Sequence, residues 1–160
     1  MDEALWQQLG ALFHERWGRL GVGGLLPPER DYVLLWVLHA EVGNGGMDQY
    51  LTNSSGDYAA DTVESLERYG QRDMAAALRL ALEALPGGWC ADRAERQRRV
   101  AAVPDRWHVF AVLTEEYYQA EAAEADRPSP ADGGVAGAIL VSYRRDGLMV
   151  EPGVAADGGA

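Results

Sequence analysis

The chain has 160 residues, 48% of them hydrophobic, and 25 acidic side chains against 14 basic ones, a net charge of −11. That length suits one ordinary domain able to bury roughly two thirds of its unfolded surface, so neither a disulfide nor a structural metal is required, and the single Cys90 has no partner for either. The charge excludes a nucleic-acid-binding surface, which needs clustered Lys and Arg to release counterions from phosphates, and makes a basic protein the natural partner.

Leu5, Leu9, Leu12, Phe13 and Leu20 recur at helical spacing and predict an amphipathic helix over residues 2–19, ended by Gly21, Gly23 and Gly24. Asp2, Glu3 and Glu15 stand where a secretory leader needs a basic start and an uninterrupted apolar stretch, so a cytoplasmic location is expected. No apolar run approaches the roughly 18 residues of a membrane span. Pro27 and Pro28, followed by Glu29, Arg30 and Asp31, signal a helix start, and YVLLWVLHAEV then runs with almost no polar face. A helix apolar all round is buried all round, which makes residues 28–42 the central helix.

A short helix is expected over 45–53 and an acidic one over 57–69, with Gly70 as its C-terminal cap. An Ala- and Leu-rich helix over 73–85 stops at Pro86-Gly87-Gly88. Residues 92–102 carry Arg93, Arg96, Arg98 and Arg99 and read as a polar, exposed helix. In a long helix over 105–123, Val109, Phe110, Leu113, Tyr117 and Ala120 share one side. Residues 126–134 form a mobile linker or loop, and 135–145 are read as a last helix because no strand is available to pair with them. The expectation is an all-α fold, a single compact domain over residues 1–150 around a buried central helix, with a disordered tail over 151–160.

Catalytic signals are absent. His39 and Glu41 lie about 200° apart around a helix and do not converge on one metal or proton. The HxE pair lacks the downstream PCxxC of zinc deaminases, and neither HExxH nor GxSxG occurs. His14 and His108 stand alone, Cys90 reads as a small buried hydrophobe, and Trp6, Trp17, Trp36 and Trp107 fall where packing partners are expected. No catalytic residue, metal ligand or cofactor is assigned. The alternatives are a small-molecule or metal-dependent enzyme with a pocket near His39, Glu41 and Gln49, or a purely structural assembly subunit.

The acids are unevenly spread. Glu29 to Glu67 hold eight of them against Arg30 alone, and Glu115 to Asp126 hold five with no base, while the basic residues concentrate between Arg93 and Arg106. On a helix beginning near Asp57, Asp61 and Glu64 fall within about 40° of it, with Glu67 flanking, and successive acids lie roughly 4.5–6 Å apart along the axis. That is comparable with the spacing of phosphates along a nucleic-acid strand.

Between these blocks stands the pattern E-V-x-N-G-G-x-x-Q-Y-x-x-N-S-x-G, carried by Glu41, Val42, Asn44, Gly45, Gly46, Gln49, Tyr50, Asn53, Ser54 and Gly56. No lysine or Walker pattern follows it, so it reads as a backbone device: Gly43 ends the central helix, Asn44 caps a short helix starting at Gly45, and Ser54 with Asp57 caps the acidic helix. The pattern resembles the signature of the bacterial family named after DNA-mimic protein nineteen, and the likeness runs over roughly residues 28–125 through the acidic helix and Leu85-Pro86. The resemblance implies an all-α fold without catalytic residues, whose acidic surface imitates the DNA backbone and occupies the DNA-binding face of a transcription regulator. The contact acids expected here are Asp48, Asp57, Asp61, Glu64, Glu67, Glu115 and Glu116. The partner is a basic DNA-binding protein, with no direct contact to nucleic acid or membrane, and a homodimer is compatible with this reading.

Overall fold

The computed structural model describes residues 3–125 and residue 139, with the side chains of 3–9, 12 and 125 left aside. Among the described residues every regular element is helical: α1 (Glu3–Leu20), α2 (Pro27–Thr52), α3 (Ala59–Arg68), α4 (Arg72–Glu83), α5 (Arg93–Ala101) and α6 (Arg106–Ala125), with 3₁₀ turns at Val22–Gly24 and Ser54–Tyr58. None is long and apolar enough to cross a membrane. The expected linker over 126–134 and the tail over 151–160 lie outside the described residues, as do the side chains of Leu5, Trp6, Leu9 and Leu12. Of the expected last helix only residue 139 is described, and Ile139 is helical and fully buried.

The central element is longer than residues 28–42. α2 opens with Pro27 and Pro28, whose fixed φ suits a first turn, and Glu29 turns back to accept from the Leu26 N–H at 3.0 Å. Glu29 is completely buried and its second oxygen lies 3.1 Å from Arg16 Nε of α1, so an acid expected only to complement the helix dipole also ties two helices together. Tyr32, Val33, Leu34, Leu35, Leu38 and Val42 are buried, but Trp36 is 38% exposed and His39 is exposed, so one strip of the helix does reach solvent.

Gly43 does not end this helix and Asn44 does not cap the next. The chain stays helical through both and kinks at Gly45 and Gly46, where Gly46 takes φ 74°. A Cβ there would stand 2.7 Å from Thr114 Oγ1, so both backbone and packing demand glycine. The kink frees an amide and a carbonyl, and α6 satisfies both: Thr114 accepts from the Met47 N–H at 3.0 Å and Tyr118 donates to the Val42 carbonyl at 3.1 Å.

α3 is shorter than residues 57–69. Asp57 lies in the preceding 3₁₀ turn, the helix begins at Ala59 behind Tyr58, and neither Ser54 nor Asp57 caps it. Its end is as expected: Gly70 takes φ 76°, with the Gln71 N–H reaching back to the Leu66 carbonyl at 2.8 Å. α4 packs against α3 and α6, burying Ala75, Ala77, Leu78 and Ala81. Its N-terminus is held from outside, because Glu124 of α6 accepts from the Asp73 N–H at 2.9 Å.

α5 departs furthest from expectation. Asp92 caps it by accepting from the Glu95 N–H, and Arg98 and Arg99 pair with Glu95, as an exposed helix would. Yet Arg96, in the middle of the basic stretch, is fully buried beside Val100. Trp107 also reverses its expected packing role: it is 75% exposed, with the Arg106 guanidinium 4.9 Å from its ring centroid.

Candidate functional site

The signature residues converge on two hubs. The first is Glu41, on α2 one turn before the kink. Its carboxylate accepts from Gln49 Nε2 at 2.6 Å, Asn53 Nδ2 at 2.9 Å and Ser55 Oγ at 3.3 Å, fastening the second half of α2 and the following 3₁₀ turn to the first half. All three donors are uncharged, and Glu41 forms no ion pair among the described residues. Gln49 fills the space beside Gly45, where a Cβ would meet its side chain at 2.2 Å.

The second hub is Arg96. Its Nε donates to the Leu51 carbonyl at 2.7 Å, Nη1 to Cys90 and Ala91, each at 3.1 Å, and Nη2 to the Asn53 carbonyl at 3.0 Å and to Asp57 Oδ1. The planar fork thus satisfies four backbone carbonyls from two separate segments at once, which a lysine could not do. Gly56 is where the two approach: a Cβ would lie 2.7 Å from Arg96 Nε and 2.9 Å from the carbonyls of Leu51 and Tyr50. Trp89 closes the arrangement by donating to the Gly56 carbonyl at 2.9 Å. Tyr50 is buried, hydrogen-bonded to Thr62 at 3.0 Å, and burial pushes its phenol far above the ordinary tyrosine value. Asn44, by contrast, is exposed and carries none of these bonds.

The seven expected contact acids divide by their arginine partners. Asp48 receives both forks of Arg106 at 2.8 and 2.7 Å. Asp57 is shared by Arg93 and Arg96, Asp61 pairs with Arg30, and Glu67 pairs with Arg79. Burial alone would raise the Asp57 pKa, but hydrogen bonds and charge from the two arginines outweigh it and hold the carboxyl below the ordinary aspartate value. The remaining three form no ion pair among the described residues: Glu64 is exposed and shares a cleft with Arg68, Glu116 is exposed, and exposed Glu115 accepts from Gln119 at 3.2 Å. Farther along α6, Glu121 faces His39 at 2.9 Å. The sequence pattern revealed neither the buried role of Arg96 nor the pairing of Asp61 with Arg30, 31 residues away, because both depend on how separate helices pack.

Two clefts adjoin these groups. One, of about 370 Å³, lies between the first 3₁₀ turn, the start of α2, and α3, and brings Asp61 and Glu64 beside Arg30 and Arg68. The other, of about 290 Å³, is lined by Glu41, Tyr50, Ser55, Asp57 and Arg93 on one side and by Trp17, Val22, Val33, Leu34 and Val37 on the other. His39 and Gln49 do not line it: His39 is turned to Glu121 and Gln49 is bound to Glu41, so the geometry lends no support to an enzyme built on those three residues.

The profile of the family described as DMP19-like protein matches residues 23–131, more than half of the chain. The chain belongs to the DMP19-like family. The match covers α2 to α6 and so both hubs. No curated protein and no solved structure gives a significant match.

Proposed function

We propose that this DMP19-like protein is a non-enzymatic acidic binding module that competes with DNA for the basic surface of a DNA-binding protein such as a transcription regulator. The observation that carries the reading is the distribution of acids that form no ion pair among the described residues. From Trp107 to Ala125, α6 has no basic residue other than His108, and Glu115 and Glu116 stand exposed on it, while Glu64 stands exposed on α3. Acids already paired with Arg30, Arg79 or Arg106 present a smaller net field to a partner. The acids most open to a partner are therefore Glu115 and Glu116 on α6 and Glu64 on α3, with Asp48, Asp57, Asp61 and Glu67 secondary.

The experiment is capture of the partner by the immobilised protein, followed by displacement of labelled DNA from that partner at increasing salt. Displacement that weakens steeply with ionic strength is expected, together with an association rate at least about tenfold lower for the Glu115→Lys, Glu116→Lys double variant. A captured protein that keeps its DNA in the presence of excess DMP19-like protein, or a complex indifferent to salt, refutes the reading.

A further inference from the structure

The 290 Å³ cleft sits at the lower end of small-molecule sites, the size for one long side chain rather than a cofactor. Its two walls differ in character. Trp17 and Val37, half-buried over the buried Val22, Val33 and Leu34, make an apolar flank suited to a methylene stem, and Glu41 presents a carboxylate whose hydrogen-bond donors are all neutral. The other lining charges, Asp57 and Arg93, are already in ion pairs. Asp57 is shared by Arg93 and Arg96, and the rest of the Arg96 fork is taken up by four backbone carbonyls. Glu41 is thus the one lining charge that forms no ion pair among the described residues.

We propose that this cleft receives a single arginine or lysine side chain of the protein partner, its stem along the apolar flank and its cationic head against Glu41. The proposal rests on the protein-binding function above and adds an anchor point to it. Long basic side chains bury their stems while keeping the head polar, which is the division this cleft offers. Exposed Ser54 and Arg93 stand at its rim. Arg93 therefore repels an incoming cation, so its removal strengthens binding, whereas it would weaken the binding of an anion.

The test uses n-butylguanidinium as a probe of one basic side chain, followed by amide NMR of the whole chain, with butyrate as the anionic counterpart. Saturable shifts confined to Glu41, Ser54, Ser55 and their neighbours are expected with n-butylguanidinium and not with butyrate. The Arg93→Ala variant is expected to bind the probe about two- to fivefold more tightly, the span of a screened surface charge. The Ser54→Trp variant, which fills the rim from an exposed position, is expected to abolish the shifts. Shifts spread evenly over exposed acids such as Glu64 and Glu116, stronger binding of butyrate, or weaker cation binding by Arg93→Ala would each overturn the proposal. Because the probe assay involves neither DNA nor partner, its failure leaves the displacement result standing, and the reverse holds equally.

Discussion

Replacing Arg96 by methionine keeps the apolar stem of the side chain and deletes every hydrogen bond of the buried fork. Four carbonyls, those of Leu51, Asn53, Cys90 and Ala91, lose a donor, while Asp57 keeps Arg93. A buried polar group left without a partner costs about 1–3 kcal/mol. Cys90 and Ala91 lie near the surface and can recruit water, and Asp57 remains paired, so the total falls below the simple sum, at about 3–5 kcal/mol, as for breaking a buried ion pair. In a chain of this size that lowers Tm by about 6–20 °C. From a mid-range stability of about 10 kcal/mol such a loss leaves the variant folded, which makes the measurement feasible. Urea unfolding followed by circular dichroism gives the loss, and the indole N–H resonance of Trp89, bound to the Gly56 carbonyl, gives a local readout. Arg96→Lys should fall between the two, since it keeps the charge but not the planar fork. A loss below about 1 kcal/mol for Arg96→Met, with the Trp89 resonance unmoved, would refute the view that this guanidinium holds the signature loop in place.

Gly56→Ala is expected to cost about 1–3 kcal/mol, because its Cβ collides with backbone as well as with Arg96, whereas Gly43→Ala, in a helical stretch with nothing within 4 Å, should stabilise by about 0.4–1 kcal/mol. Equal effects of the two in urea titrations would contradict the packing described. Thr114→Val should cost about 1–3 kcal/mol by orphaning the buried Met47 amide at the kink, readable as faster hydrogen exchange there. His14, packed against Tyr32 and Trp36, has its pKa lowered by burial, which outweighs a hydrogen bond to the Gly10 backbone. The unfolded chain then binds the proton more tightly than the folded one, so stability falls as pH drops through the ordinary histidine range. His14→Phe should flatten the urea midpoint between about pH 7 and 5 relative to the parent, and parallel curves would count against this account.

The helical class and the order of the helices could be read from the sequence because they rest on local periodicity and punctuation. Gly21, Pro27, Gly70 and Pro86 act within a residue or two of where they stand. What could not be read depends on contacts between distant segments. Gly43 and Gly45 look alike as helix breakers, and only the presence of Thr114 and Tyr118 beside the kink decides where α2 bends. Arg96 looks like its neighbours Arg98 and Arg99, although its position one turn beyond Asp92 and one before Val100 places it on the inward face of α5. The pattern around Glu41 was legible as a backbone device, but its parts act differently from a chain of caps: Glu41 gathers Gln49, Asn53 and Ser55 into one knot, and Asn44 takes no part in it.

That difference bears on where an acidic surface can act. Every arginine from Arg16 to Arg106 except Arg72 sits in an ion pair with an acid. A basic residue arriving at Asp61 or Glu67 meets a carboxylate already paired with Arg30 or Arg79, so the net attraction is smaller and the resident arginine repels the newcomer. Glu115 and Glu116 form no ion pair among the described residues, so attraction there is limited mainly by solvent screening. On the proposed function, the density of acids along the chain overstates α3 as a binding face and understates α6, because sequence counts charges while a partner would meet mainly those the fold has not already paired. By the same reasoning Glu41, surrounded by neutral donors, retains a charge that its place inside a hydrogen-bonded knot would seem to have used up. Its role in holding the loop is compatible with the proposed cation site, since three neutral hydrogen bonds orient a carboxylate without cancelling its charge.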